Sequence, residues 1–426
     1  MNINFEQASF KDFENVSGLD AYARAKLFNT YLNYLSENGR LNYRLEVTSP
    51  CGPRVDLIRP GEKKAKTYVG LVSNDYLGFT QHQKVKEAVI SGIQSFGTGS
   101  GASPAIGGNY QYHERLEKQI ASFFKRDSAI LYTTGYTANS STFQCLLQKE
   151  DVAILDMAVH ASVYEGCQLT NVKTFLHNNM QALERKLSDC QHIYRTKMVI
   201  IDGVYSQDGD IARLDEILSL CRHYGAYLAI DDAHGTGVIG KTGRGVLEQY
   251  DLYKQVDIIT GTFSKTFANI GGYVIADPEL IRFIKYQAKQ HLFSVTSTPA
   301  TFGIAKAIEL IDEEPQWRDR LWENIIYLRK GLLDLGLNIG PTASAIIPVK
   351  IGDPAKTGLI GQMLLDSGIY ANPIIYPAVS KKDTRIRMSL MATHTKDDLD
   401  KVLNAFEWVD SKLDISKKRD HGTENE

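Results

Sequence analysis

The sequence predicts an α/β protein: a large domain built on a mostly parallel sheet, followed by a smaller C-terminal α+β domain. Three observations carry this expectation. Between residues 128 and 276, short β-branched apolar runs alternate with segments of helical periodicity, the pattern of a parallel sheet covered by helices on both faces. Polar residues gather just past the C-terminal ends of those runs, where open α/β sheets put their ligand crevice. The composition then shifts near Thr298-Pro299. The expected division is 1–66 as N-terminal helix and linker, 67–298 as the large domain, 299–413 as the small domain, and 414–426 as a charged, disordered tail.

In chain order, residues 21–38 place Leu27, Tyr31, Leu32 and Leu35 at helical spacing and predict a helix that packs on another element or subunit. Residues 50–66, rich in Gly, Pro and charge, predict a loop or hairpin. A short strand at 68–72 runs into Ser73-Asn74-Asp75-Tyr76-Leu77-Gly78, a run of turn formers. A helix over 83–96 ends in a Gly-rich stretch, Gly97 to Gly108. A dinucleotide loop follows a strand and opens a helix; here a helix comes first, so these glycines read as close backbone approach to a ligand. A helix over 112–124 puts Leu116, Ile120 and Phe123 on one face. Strands follow at 128–132, 152–155, 173–176, 197–202, 226–230, 256–260 and 272–276, with helices through 147 and over 180–187 and 214–224. Beyond them, 300–335 predicts one or two long helices carrying Trp317, Leu321, Ile325 and Leu328. Strands at 346–351, 369–371 and 385–390 and an amphipathic helix over 396–413 complete the small domain.

Composition narrows the function. A chain of 426 residues suits two or three domains, and a net charge of -2 argues against a nucleic-acid footprint or a polybasic membrane patch. Cys51, Cys145, Cys167, Cys190 and Cys221 form no C-x-x-C pair, which argues against a zinc site or a disulfide scaffold and fits a reducing cytoplasm. The first residues lack a basic region followed by an apolar one, and no apolar run approaches the ~20 residues of a membrane span. A cytoplasmic protein is expected.

The chemistry centres on Ile258-Ile259-Thr260-Gly261-Thr262-Phe263-Ser264-Lys265. Upstream, the apolar run 227–230 ends in Asp231-Asp232-Ala233-His234. An acid at one strand end and a lysine beyond the next is what pyridoxal phosphate chemistry needs: the lysine forms the imine, and the acid keeps the pyridine nitrogen protonated. Thr134-Gly135-Tyr136, between a strand and a helix, is a candidate phosphate site or an ordinary helix cap. His160 stands in a strand-end loop, as a ring-stacking residue or a core histidine. Asp231 and His234 have no third ligand at matching spacing, so no metal is expected. In Arg385-Ile386-Arg387, an arginine alternates with an apolar residue, and an inward-facing arginine needs an anionic partner.

Together these motifs closely resemble the α-oxoamine synthase family, and within it most of all the bacterial serine palmitoyltransferase branch. The carriers are Gly261 to Lys265, His160-Ala161-Ser162-Val163-Tyr164-Glu165-Gly166, Asn372-Pro373 with Pro377-Ala378-Val379, and Ser389 to Thr395. The resemblance implies a fold-type-I pyridoxal-phosphate-dependent transferase with a mostly parallel seven-stranded sheet. It implies that Lys265 is the imine lysine and base, that Asp231 pairs with the pyridine nitrogen, and that His160 stacks on the ring. By the same resemblance His234 and Ser206 touch the ring-oxygen region. Thr262, Gly135 and Tyr136 hold the phosphate, with Ser294 and Thr296 reaching in from a second subunit of a homodimer. Asn74 and Arg387 would bind the substrate carboxylate. The implied reaction is a decarboxylating condensation of an L-amino acid with a long-chain acyl thioester, on CoA or a carrier protein. Its product would be a sphingolipid-type base, with peripheral membrane contact for product release. Serine is the first choice. Cysteate, for sulfonolipid synthesis, is the next; 8-amino-7-oxononanoate synthase and glycine C-acetyltransferase chemistry are the alternatives. One departure bears on substrate choice: Ser103-Pro104 stands where many members have Ser-Arg.

Overall fold

Asp20 opens the first long helix, Ala21–Glu37, by accepting a hydrogen bond from the Ala23 N–H at 2.8 Å. The helix buries Tyr31 and Leu35 against Phe13, in an aromatic cluster separate from the main core. The computed structural model describes residues 3–6, 8–41, 43–294 and 298–416. Strands β1 (Glu46–Val47), β2 (Arg54–Ile58) and β3 (Lys66–Gly70) then form an antiparallel ribbon, so the Gly- and charge-rich segment is a hairpin.

The central sheet is built from β4 (Ala129–Tyr132), β5 (Val152–Asp156), β6 (Asn171–Phe175), β7 (Lys197–Asp202), β8 (Tyr227–Asp231), β9 (Ile258–Thr262) and β10 (Gly272–Ile275). Its order is β4-β10-β9-β8-β7-β5-β6; only β10 runs antiparallel to its neighbours. The sequence explains the layering, because successive side chains of a strand face opposite sides. In β5, Ile154 enters the larger core while Ala153 and Leu155 enter the smaller one; in β7, Val199 and Ile201 face the first and Met198 and Ile200 the second. Edge strand β6 carries exposed Val172, Lys173 and Thr174. The parallel strands end side by side, with Asp202 opposite Asp231 and Asp231 opposite Thr260. Strand β9 starts two residues later than the apolar run, because Asp257 accepts the Leu228 N–H on its carboxylate, and the strand carries Thr262 to its end.

The C-terminal part holds β11 (Ile346–Lys350), β12 (Ile369–Tyr370), β13 (Asn372–Ile374) and β14 (Arg385–Ser389), with β14 between β11 and β13. Strand β12 pairs with β3, joining the N-terminal ribbon to this region. Of the one or two long helices predicted over 300–335, the structure has two, Thr298–Glu313 and Gln316–Asp334, divided at Pro315. Helix Pro278–Gln287 is an element the sequence reading left out. Ser389 N–H donates to Leu71 O and Ala392 N–H to Tyr76 O, both at 2.7 Å. These bonds bring the 71–78 turn, with Asn74 and Tyr76, beside β14. Among the described residues, no helix is long and apolar enough to cross a membrane.

Candidate active site

The C-terminal edge of the central sheet opens into a cavity of about 230 Å³ lined by Gly135, Tyr136, Asn139, His160, Ser206, Asp231, His234, Thr262 and Lys265, among others. One end is a cradle of hydroxyls and backbone N–H groups. Thr134 caps helix Gly135–Leu146, its Oγ1 accepting from Thr137 N–H at 3.0 Å, so the first helical N–H groups remain free for an anion. Thr262 Oγ1 lies 2.8 Å from Ser264 Oγ. A Cβ on Gly135 would fall 2.5 Å from Thr262 Cβ, so only glycine lets the helix start this close to β9.

Behind the cavity runs a chain of side-chain hydrogen bonds. Asn139 Nδ2 donates to Asp231 Oδ2 at 2.6 Å and to Ser162 Oγ at 3.0 Å. Ser162 Oγ is 2.7 Å from His160 Nδ1, and Ser162 N–H also donates to that nitrogen, at 3.3 Å. A nitrogen that accepts a backbone N–H carries no proton, so the neutral ring bears its proton on Nε2. Burial lowers the His160 pKa, in the same sense. Ala233 N–H donates to Asp231 Oδ1 at 3.0 Å, so both oxygens of this carboxylate are fixed. Its neighbour Asp202 is buried beside it, and burial followed by the Asp231 charge pushes Asp202 well above the carboxylate range.

Lys265 stands just past β9. Burial pulls its pKa down to about 8, against the opposing pull of Asp231 and Asp202. At mildly alkaline pH this amine is therefore substantially neutral, the form that acts as nucleophile or base. On β14, Arg387 is buried; its Nε donates to Ser206 O at 2.5 Å, its Nη1 to Ser389 Oγ at 2.9 Å and its Nη2 to Asn74 Oδ1 at 3.3 Å. Arg385 faces the same side of the strand but is paired with Asp208 at 2.6 Å and Asp383 at 3.3 Å. Tyr76 Oη lies 2.6 Å from His234 Nδ1, and burial holds the His234 pKa well below its ordinary value.

Comparison with known proteins completes this picture. The chain matches the aminotransferase class I and II family over residues 66–406. It is 39% identical over 370 residues to the 8-amino-7-oxononanoate synthase of Thermoanaerobacter pseudethanolicus, covering 86% of this chain and 92% of that one. It is equally 39% identical, over 345 residues, to the serine palmitoyltransferase of Bacteroides thetaiotaomicron, covering 79% and 87%. Among solved structures, the Sphingomonas wittichii serine palmitoyltransferase superposes with a TM-score of 0.86 at 29% identity, covering 92% of this chain and 99% of that one. A serine palmitoyltransferase holding pyridoxal phosphate gives 0.86 at 28% identity, covering 93% and 100%. The chain belongs to the α-oxoamine synthase family.

This α-oxoamine synthase is thus a pyridoxal-phosphate-dependent acyltransferase of fold type I. Its residues fit the cofactor. The glycine cradle at Gly135 and Thr262 suits a phosphate, an anchored carboxylate at Asp231 suits a protonated ring nitrogen, and a desolvated amine at Lys265 suits a carbonyl. Asn139 Oδ1 is buried without a partner, an acceptor available for a bound group.

The structure brings Gly135, Tyr136, His160, Ser206, Asp231, His234, Thr262 and Lys265 to one cavity. Asn74 and Arg387 are not part of that lining; they meet each other at 3.3 Å, and Arg387 reaches the cavity wall through the Ser206 carbonyl. Ser294 follows helix Lys289–Leu292 and does not line the cavity; Thr296 lies outside the described residues. Sequence reasoning passed over Asn139, Ser162, Asp202 and Ser264. Asp202 had a signal, as the acid ending an apolar run before glycine. Asn139 had none, being one polar residue among several within a helix.

Proposed function

We propose that the enzyme joins the α-carbon of an L-amino acid, serine first, to the acyl carbon of a long-chain thioester. The new C–C bond forms as the thiol leaves, carbon dioxide departs from the amino-acid carboxylate, and a 3-oxo long-chain base such as 3-ketodihydrosphingosine results. The observation that carries the amino-acid half is Arg387, a buried guanidinium with no carboxylate partner among the described residues. A buried cation needs an anion, and a substrate carboxylate matches its planar fork. The long-chain half is supported by Thr262-Phe263-Ser264-Lys265 and by the serine palmitoyltransferase structures the chain resembles.

Pyridoxal phosphate, when bound, supplies a carbonyl for the substrate amine and a ring that accepts electrons. Gly135, Tyr136 and Thr262 hold its phosphate, Asp231 holds a proton on its ring nitrogen, and His160, His234 and Ser206 surround the ring. The Lys265 amine, depressed to about 8, takes the proton from the substrate Cα and returns one to the product. Arg387 and Asn74 fix the carboxylate so that its bond to Cα is oriented for cleavage. The working unit is a homodimer in the cytoplasm, with CoA or a carrier protein bearing the acyl group and product handed over at a membrane surface.

A second reading, amino-ketone synthesis from alanine with a shorter acyl chain, is favoured by the equal 39% identity to an 8-amino-7-oxononanoate synthase. Titrating serine, cysteate, alanine and glycine against the cofactor absorbance, then adding long- and short-chain acyl thioesters, separates the readings. Serine with a long chain should give the highest kcat/KM. Preference for alanine with a short chain reverses the order, and preference for cysteate identifies a sulfonolipid enzyme.

A further inference from the structure

Beside the site lies a cluster of charges, a half-buried histidine between two buried carboxylates, that the reaction does not use. His177 sits past the end of β6, with Nδ1 3.0 Å from Asp156 Oδ1 and Nε2 2.9 Å from Asp210 Oδ2. A ring with a carboxylate oxygen at each nitrogen donates from both and is an imidazolium. Burial pushes its pKa down, but the bonds to Asp156 and Asp210 outweigh that and raise it to about 10. Asn178, at φ 50°, gives its N–H to Asp156 Oδ2 at 2.9 Å and its side-chain amide to Asp210 Oδ2 at 2.8 Å. The Tyr205 ring meets the His177 ring edge-on, with centroids 4.3 Å apart.

His177 thereby fastens the base of a hairpin spanning residues 203–212, in which Val204 bridges Ile211 and Ala212 N–H donates to Gly203 O at 3.0 Å. The tip of the hairpin is fastened to the other sheet. Asp208 takes Arg385 of β14 at 2.6 Å and Lys350 of β11 at 2.7 Å. Ala343 N–H donates to Gly209 O at 2.9 Å, and a Cβ on Gly209 (φ +68) would fall 2.2 Å from Ile346 O. Between these two fastenings stands Ser206, whose carbonyl accepts Arg387 Nε at 2.5 Å. The hairpin is a strut from the large sheet, which carries Lys265 and Asp231, to the guanidinium on the small one.

We propose that this hairpin positions Arg387 over the cofactor site, and that His177 and Asp208 are positioning residues acting through it. The inference rests on the reading of Arg387 as the carboxylate clamp. It predicts a loss confined to ligands that carry a carboxylate, because a small displacement of the clamp costs orientation without touching the cofactor.

The test uses holoenzyme carrying His177→Gln, Asp208→Asn, both together, or Arg387→Lys. Dissociation constants for L-serine and for 2-aminoethanol, which keeps the amine and hydroxyl but lacks the carboxylate, are read from the cofactor absorbance, with cofactor occupancy and melting temperature alongside. Each fastener variant should weaken serine roughly tenfold while leaving 2-aminoethanol and cofactor occupancy unchanged. The double variant should be no worse than the stronger single one, since both act on one hairpin. Equal weakening of both ligands, or a lower melting temperature with serine preference intact, overturns the inference. Asp208→Asn answers alone where His177→Gln does not fold. Loss of serine preference in Arg387→Lys but in neither fastener variant overturns the strut and leaves the clamp standing. Retained preference in Arg387→Lys overturns the clamp itself.

Discussion

At the scale of the residue, chemistry turns on which groups are left without partners. Arg385 and Arg387 lie two apart on β14 and face the same side, so the strand's period of two could not choose between them. Their partners can: among the described residues, Arg385 has Asp208 and Asp383, whereas Arg387 has only carbonyl, amide and hydroxyl oxygens. Arg387→Lys keeps a charge and loses the fork, so serine binding should weaken by roughly 1–3 kcal/mol, as read by titration of the cofactor absorbance with occupancy unchanged. Arg385→Lys can reach the carboxylate only through Asp208 and the 203–212 hairpin, so it should weaken serine by no more than Asp208→Asn does and lower the melting temperature as well. Lys265 gives a second prediction. Its folded pKa of about 8 lies below its unfolded value of 10.5, so between these pH values the unfolded chain binds more protons and stability rises with pH. In cofactor-free protein, Lys265→Met removes that cost, so the variant should be more stable near pH 7. The difference should shrink as pH rises from about 8 to 10.5, which denaturant titrations at several pH values can follow. Lys265, Asp231 and His160 were legible because each stands just past an apolar run. Asn139 and Ser162 were not, because their place in the hydrogen-bond chain depends on which helix faces which strand end.

At the scale of the element, the proposed phosphate cradle depends on a helix and a strand meeting without a side chain between them. Gly135 starts helix Gly135–Leu146 with Thr262 Cβ 2.5 Å and Thr262 Cα 3.2 Å from where its own Cβ would be. The obstructing atoms belong to the root of a side chain and to backbone, so a methyl group there must displace β9 or the helix. Gly135→Ala should cost roughly 1–3 kcal/mol of stability, the usual scale of overpacking. It should also weaken cofactor binding, since the free N–H groups and the Thr262 hydroxyl move apart. Thermal melts with and without pyridoxal phosphate separate the two: a larger deficit in its presence places the damage at the cradle, and an equal deficit makes Gly135 a packing residue only. The strands and helices themselves were largely visible in the sequence, because two cores on opposite faces of one sheet impose unbroken apolar runs on β5, β7 and β8. What escaped were boundaries set by single side chains. Asp257 caps the start of β9 and shifts it by two residues; the division at Pro315, by contrast, was one of the two readings the helical stretch allowed.

At the scale of the whole molecule, the proposed homodimer needs a surface on which to form. Ile106 is 83% exposed, Tyr286 70%, Phe293 69% and Ile270 56%. The Gly-rich segment carrying Ile106 is tied to helix Lys289–Leu292 by the bond from Ala105 N–H to Leu292 O at 3.2 Å. Exposed apolar side chains on these segments are the surface the proposed homodimer would cover, and a two-fold dimer covers the same surface on both copies. Ser294 follows Phe293 directly, so a partner that covers Phe293 reaches the neighbourhood of Ser294 as well. If each site takes Lys265 from one chain and Ser294 and Thr296 from the other, two inactive chains should rescue each other. A Lys265→Ala chain mixed with a chain altered at both Ser294 and Thr296 gives a hybrid in which one site has lost every changed group and the other has kept all its natural ones. Differently tagged hybrids, purified after co-expression, should therefore show about half of the wild-type turnover per dimer. If each chain instead completes its own site, both sites of the hybrid carry a defect and activity stays at the level of the parents. Ile106→Glu supplies the control: a charge at the covered surface should shift the mass measured by light scattering toward the monomer and abolish the rescue with it.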